Sequence, residues 1–146
     1  MSNVNEQLSM TGHLQIRLND ELVRDIPNLV VTAGKGFVAS RMIGTSAGVM
    51  SHMEVGTGTT DPAAGDTALQ SAVSSSRTAF SSSAAVSDAV VTYITTFAAG
   101  TGTGALTEAG IFNASSGGTM LCRTEFSVVN KGASDSMTIT WTVTVS

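Results

Sequence analysis

The chain is poor in charged residues, aromatic residues, proline and cysteine. Of its 146 residues 12% are charged and 5% aromatic, and there are two prolines and one cysteine. The single cysteine, Cys122, excludes an internal disulfide and a zinc cluster built on several cysteines. No apolar run approaches the roughly 18 residues that a membrane-spanning helix requires. The polar opening MSNVNEQLSM lacks the basic and apolar regions of a signal peptide. We therefore expect a protein that is made in a cytoplasm and has no membrane partner.

The small amount of charge is also spread out. The net charge is −4 and the isoelectric point lies near 4.9. No cluster of basic residues is present to neutralise phosphates, which argues against a nucleic-acid partner. A chain with so little charge to keep its copies apart is more typical of an assembly than of a free protein. The basic residues are Arg17, Arg24, Lys35, Arg41, Arg77, Arg123 and Lys131.

Serine, threonine and glycine make up most of the polar residues, a composition that favours short strands and turns over long helices. The clearest strand is SMTITWTVTVS, where Met137, Ile139, Trp141, Val143 and Val145 alternate with threonines. This period of two predicts one buried face and one solvated face. Further strands are predicted at 12–19, 21–26 (ended by Pro27), 49–56, 77–82, 87–98, 105–114 and 119–129.

One short helix is predicted near residues 33–43. Thr32 is placed to cap its start and Gly44 to end it. The segment 66–73 is predicted to form one or two helical turns. Several short strands with a single helix predict a mainly β fold, an antiparallel β-sandwich or jelly roll. We expect residues 1–11 to form a flexible N-terminal arm and residues 12–146 to form one domain.

The stretch VGTGTTDPAAGDTAL, residues 55–69, resembles a phosphate-binding loop at first sight. It lacks the third glycine of a dinucleotide turn and the Gly-Lys-Ser/Thr of a P-loop. A similar GTGTG occurs at 100–104 between two predicted strands. The glycines are therefore interpreted as turn residues, with Pro62 fixing a turn and Asp66 capping the next helical turn.

No catalytic, cofactor-binding or metal-binding residue is predicted. His13 and His52 are interpreted as structural, and the aspartates do not have the spacing of a calcium loop. A Ser, His and Asp brought together in space stays open, although no G-x-S-x-G motif is present. Cys122 shares a predicted strand face with Met120, Phe126 and Val128, which predicts a buried, inert thiol. Met120 and Met137 are predicted to lie in the core.

Three stretches together resemble a class of small structural proteins of tailed bacteriophages. They are GTGTTDPAAGDTAL (56–69), LTEAGIFNASSGGTMLCRTEF (106–126) and MTITWTVTV (137–145). The class carries a G-T-G-T-T-x-P-x-x-x-D-T-x-L loop, an E-x-G-[IL]-F-N strand and a closing T-[IL]-T-W-T strand. The match covers roughly the last two thirds of the chain.

The resemblance implies a β-sandwich subunit of the virion that binds repeated sites on a symmetric shell or tube. The expected function is capsid cement: the protein binds the outside of the phage head and bridges neighbouring major capsid subunits. The alternative is a tail or tail-fibre module that recognises the host. A homo-oligomer is expected, a dimer more than a trimer. In the arm, the spacing of Val4, Leu8 and Met10 would let an extended chain present these side chains to a partner.

Overall fold

The computed structural model describes residues 6–44 and 48–146. Within these ranges the chain forms nine strands and one helix. The strands are β1 Met10–Leu18, β2 Glu21–Val30, β3 His52–Gly56, β4 Thr78–Ala79, β5 Ala85–Ser87, β6 Val90–Phe97, β7 Gly104–Phe112, β8 Met120–Lys131 and β9 Met137–Val145, and the helix is α1 Thr32–Arg41. The predicted mainly β fold with one short helix is confirmed.

All nine strands belong to one antiparallel sheet, in the order β4-β3-β7-β8-β2-β1-β9-β6-β5. Strand β2 pairs with β1 up to Asn28, and its last two residues, Leu29 and Val30, pair with β8. Beyond β4, the Ser81 amide donates to the Ile94 carbonyl oxygen of β6 at 2.9 Å. The sheet therefore curls, and its two halves enclose the core as in a β-sandwich. A jelly-roll form is not confirmed.

Strand β9 lies between β1 and β6 and supplies much of the core. Met137, Ile139, Trp141 and Val143 are all buried, in the alternation that the sequence predicts. They belong to one apolar cluster with side chains of β1, β3, β6, β7 and β8. The Trp141 indole N–H donates to the Asn28 side-chain oxygen at 2.9 Å, so its only polar group keeps a partner inside the fold. Met120 and Met137 are buried, as predicted.

The predicted face of β8 is wrong beyond Phe126. Val128 is 44% exposed, whereas Val129 is buried. Leu106 pairs with Val129 but Glu108 pairs with Glu125, so β8 has two more residues than β7 over this interval. The alternation of β8 is interrupted within this irregular interval, and the buried positions change from the even-numbered Phe126 to the odd-numbered Val129 and Lys131. Cys122 precedes this interval and is fully buried, and burial raises the pKa of its thiol.

Pro27 does not end β2, which continues to Val30. Proline is tolerated in a strand where its nitrogen is not needed as a donor. Pro27 lies opposite His13 of β1, and the pairing of β2 with β8 begins only at Leu29.

Helix α1 exists, but it spans 32–41 and ends two residues before the predicted boundary. Thr32 is its first residue and not its cap. The N-cap is Val31, which makes no side-chain capping hydrogen bond. Gly44 follows the helix with φ +69°, the left-handed conformation expected of a glycine after a helix end. The helix packs on β8 through the buried Gly34, where an added Cβ would come within 2.1 Å of the Leu121 carbonyl oxygen.

Strand β1 begins at Met10, two residues before the predicted start of the domain. Met10 pairs with Val145 of β9. The Ser9 and Ser146 backbones also exchange two hydrogen bonds of 2.8 Å. The end of the predicted arm is therefore in contact with the sheet. The division into an arm and a domain stays a prediction, and residues 1–5 of the arm lie outside the described residues.

Candidate functional site

Residues 57–71 leave β3 and return to the same place, and we call this segment the Ω loop. Its ends meet where the Thr57 amide donates to the Ser71 carbonyl oxygen at 2.9 Å. The loop contains no helix or strand. The predicted helical turns at 66–73 are therefore wrong. This segment instead turns back to β3, where Ala72 forms a bridge with Gly56 and the Val73 amide donates to the Val55 carbonyl oxygen.

Both ends of the Ω loop are attached to one carboxylate on β7. The Gly58 and Ser71 amides donate to Oε2 of Glu108 at 2.8 and 2.7 Å, and the Gln70 amide donates to Oε1 at 2.9 Å. Glu108 is fully buried. A buried carboxylate is stable only when its oxygens accept hydrogen bonds. The loop backbone meets this need, and the carboxylate in turn fixes both ends of the loop.

Arg123 of β8 completes the attachment. Its guanidinium donates to Oε1 of Glu108 from Nε at 3.1 Å and from Nη2 at 2.9 Å. The same guanidinium binds the Thr60 carbonyl oxygen and the Asp66 carboxylate, each at 3.0 Å. Asp66 also accepts from the Ala63 amide at 2.9 Å. Asp66 was predicted to cap a helix, but it closes a turn at the far end of the loop and pairs with a buried cation.

The hydrogen bonds to Glu108 stabilise its charged form. Burial alone would raise its pKa, but the donors on the loop and Arg123 outweigh burial. The pKa of Glu108 therefore lies below its ordinary value of 4.5. Glu108 is ionised at neutral pH, and its charge is balanced by that of Arg123.

The glycines of the loop motif are explained by this carboxylate. A Cβ on Gly56 would lie 2.5 Å from the Ser71 carbonyl oxygen, and one on Gly58 would lie 2.3 Å from Oε2 of Glu108. Only glycine lets the backbone approach the carboxylate so closely. On the other side of the loop, Leu69 is buried in a small cluster with Val31, Phe112 and Met120. The GTGTT glycines therefore serve a structural carboxylate, and neither Gly56 nor Gly58 has the positive φ of a turn glycine. Their interpretation as turn residues is wrong, because close approach and not a turn requires them.

The outer surface of the Ω loop consists of small side chains. Asp61 is its one exposed charged residue, whereas the Asp66 carboxylate is turned to Arg123. The tip is tied to the start of α1, because the Thr32 amide donates to the Ala64 carbonyl oxygen at 2.8 Å. The other exposed residues of the loop are Thr57, Thr59, Thr60, Ala63, Ala64, Gly65, Thr67, Ala68, Gln70 and Ser71.

The structure brings two of the three predicted partner-binding residues together with α1. Leu8 is 77% exposed and Met10 is half-buried. Both line an apolar groove of about 340 Å³, which we call the helix groove. Val4 lies outside the described residues. The helical side of this groove was not predicted to bind a partner, although its spacing of three and four residues is visible in the sequence. The complete lining is Leu8, Ser9, Met10, Lys35, Val38, Ala39 and Met42.

The two histidines occupy different surroundings, and both have side-chain partners. His13 contacts the Asp25 carboxylate across the β1–β2 pair. His52 Nδ1 lies 2.7 Å from the Ser51 hydroxyl. Burial, and then the charge of Arg77, lower the pKa of His52. Within residues 6–44 and 48–146, no three His, Cys, Asp or Glu side chains are grouped as metal ligands. No helix in these ranges is long and apolar enough to span a membrane.

No protein-family model, curated protein or solved structure matches this chain.

Proposed function

We propose that this chain is a structural protein of a phage virion, and not an enzyme. In this proposal it is a capsid cement protein that binds the outside of the head and bridges neighbouring major capsid subunits. The proposal rests first on the three stretches that resemble small structural proteins of tailed bacteriophages. The structural observation that supports it most is the helix groove, because this groove contains the exposed apolar residues expected of a protein-binding surface.

The helix groove has the character of a contact surface. Met42 is 85% exposed and Leu8 is 77% exposed, and the two line the same groove. Ile43, which follows Met42 in the chain, is also 85% exposed. Isolated apolar side chains on a surface are common, but several in one place indicate a site that another protein covers. A coat subunit is the partner that the resemblance implies.

The way the charges are used also supports an assembled subunit. Three charged side chains, Glu108, Arg123 and Lys131, are buried, and Lys131 donates to the Ala98 carbonyl oxygen at 3.0 Å. Arg77 and Glu54 pair in a largely buried position. The chain has 18 charged residues, and these five lie wholly or largely out of solvent, so few charged side chains remain on the surface. Such a surface loses little hydration of charged groups when it is covered by another protein.

A cement protein stabilises a shell by mass action. A subunit that binds only the assembled lattice shifts the equilibrium towards that lattice. Weak contacts suffice if each oligomer engages several sites at once. We therefore propose a homo-oligomer, with a dimer favoured over a trimer because two-fold association is the commonest closed symmetry.

The number of copies per particle tests this function. Densitometry of purified virions should give hundreds of copies, on the order of the number of coat subunits that a shell exposes. A count from a few to a few tens would favour the alternative, a tail or tail-fibre module. Absence of the chain from washed particles would contradict both virion roles.

A further inference from the structure

The Ω loop is held far more firmly than a surface connection requires. Loops of this length without helix or strand are uncommon in compact domains, and those that are ordered usually have a function. This one is attached through a buried carboxylate and a buried guanidinium. Burying two charges has a desolvation cost, which their attraction and their hydrogen bonds must offset. The hydrogen bonds of Glu108 and Arg123 therefore hold the Ω loop in a single conformation.

A fixed shape matters most when a loop binds something. Ordering a flexible segment on binding costs backbone entropy at every residue that becomes fixed. The Ω loop is already ordered in the free protein, because Glu108 fixes its two ends and Arg123 holds Thr60 and Asp66. Binding a partner therefore does not require this loss of entropy. A pre-formed surface of this kind binds more tightly for the same contacts.

The exposed side of the loop indicates the kind of partner. Its threonine hydroxyls donate and accept hydrogen bonds, and its alanines and Gly65 let another backbone come close. With Asp61 as the one exposed charge, it offers little to an ionic ligand. A broad protein surface fits these properties better than a charged small molecule or a nucleic acid.

We propose that the Ω loop is a pre-formed contact surface for a coat subunit, beside the helix groove. The two surfaces adjoin the same helix, because Ala64 of the loop accepts from Thr32 at the start of α1 and the groove follows Lys35, Val38 and Met42 along it. This inference rests on the proposed capsid function and adds the surface through which the protein binds.

The test uses phage heads assembled without this protein and the full-length chain added back. Ala63→Arg places a long charged side chain on the exposed face of the Ω loop. Ala89→Arg is the matched control, since Ala89 is an exposed alanine in the β5–β6 turn, in the other half of the sheet. We expect Ala63→Arg to bind at least tenfold more weakly than wild type, and Ala89→Arg to bind like wild type. Melting curves of the two variants should agree, which shows that both fold.

The possible outcomes distinguish a failure of the proposed loop contact from a failure of the proposed capsid function. If wild type binds heads and Ala63→Arg binds equally well, the loop is not a contact surface and the capsid function stands. If wild type does not bind heads, the capsid function and the loop contact both fail. Hydrogen exchange of the free protein tests pre-formation. The amides of Gly58, Gln70 and Ser71 should be protected before binding, and exchange at the rate of an unfolded peptide would overturn a pre-formed loop.

Discussion

At the scale of single residues, the carboxylate of Glu108 connects more of the structure than any other side chain described above. It accepts from three loop amides and from two nitrogens of Arg123. Removing one partner of a buried ion pair typically costs about 3–5 kcal/mol, because the other charge is left uncompensated. Glu108 and Arg123 are therefore the positions where the Ω loop is most sensitive to substitution.

Acid should weaken the fold through Glu108. Its folded-state pKa lies below the ordinary value of 4.5, so the folded state binds the proton less readily than the unfolded state. This contribution to stability is present above the ordinary pKa and is lost as the pH falls through the folded-state pKa. We expect the free energy of unfolding, from urea melts at a series of pH values, to fall as the pH drops below 4.5.

In the variant Glu108→Gln the free energy of unfolding should fall less steeply with decreasing pH than in wild type, over the same acid range. The substitution should not remove the fall completely, because the Asn19 side chain and the Gly132 amide also lower the pKa of Asp135. Asp135→Asn is therefore the control for the remaining slope. If the free energy of unfolding of Glu108→Gln has the same pH dependence as that of wild type, the pKa of Glu108 is not lowered in the folded state.

Replacing two glycines of the same loop by alanine should have different effects on stability. In Gly58→Ala the new Cβ would lie 2.3 Å from Oε2 of Glu108, so the carboxylate or the backbone must move. We expect a loss of about 1–3 kcal/mol in the free energy of unfolding. Gly65→Ala meets no heavy atom within 4 Å and should be neutral or slightly stabilising. Equal effects in denaturant melts would contradict the close approach at Gly58.

The sequence predicted that the GTGTT glycines serve backbone geometry, but it did not reveal the charged residues behind them. Glu108 and Arg123 stand out as charges within the apolar stretches LTEAGIF and MLCRTEF. Their pairing depends on the β7–β8 register, which shifts at a bulge. Alternation within one strand carries no information about such a shift. The ion pair could therefore be found only from the folded structure.

At the scale of elements, the register of β9 was visible in the sequence because its alternation has no interruption. The helical pattern at 66–73 was overridden, since Leu69 is buried in a cluster and the Gln70 and Ser71 amides are bound to Glu108. A helix there would use these amides in its own hydrogen bonds. Distant partners decided the conformation of this segment, and local propensity is only a weak guide in such a case.

Helix α1 offers a matched pair of glycines that tests how it packs on β8. In Gly34→Ala the added Cβ would lie 2.1 Å from the Leu121 carbonyl oxygen, which belongs to the backbone. The helix must therefore move, and we expect the free energy of unfolding to fall by about 1–3 kcal/mol. Gly36→Ala has open space and should gain up to about 1 kcal/mol through helix propensity. Thermal melts that rank the two variants the other way would contradict this packing.

The two faces of β9 should differ strongly in their tolerance. Trp141→Ala empties a fully buried site and removes the donor to Asn28. We expect a cost of about 3–5 kcal/mol, as for other large core truncations. Thr140→Ala changes a half-buried side chain on the opposite face and should cost less than about 1 kcal/mol. Urea melts that reverse this order would show that the strand register is wrong.

At the scale of the whole molecule, the expected assembly can be measured without any other component. We expect light scattering at micromolar concentration to give twice the 14.8 kDa mass of one chain, because a dimer is the favoured oligomer. Leu8→Ser should leave the melting temperature almost unchanged, since Leu8 is 77% exposed. A measured mass of one chain would contradict the dimer, and the proposed capsid function would then require association on the shell.

The position of β9 between β1 and β6 also has a consequence for synthesis. A ribosome releases β1 and β6 well before residues 137–145, so β9 reaches its place last of the nine strands. Pairing residues 10–18 with residues 137–145 closes most of the chain into a loop, and such distant contacts slow folding. Until then, β1 and β6 each lack a neighbour, and unpaired strand edges of nascent chains readily join one another. Slow translation or a high expression level should therefore lower the yield of soluble protein more than the stability of the folded state would indicate.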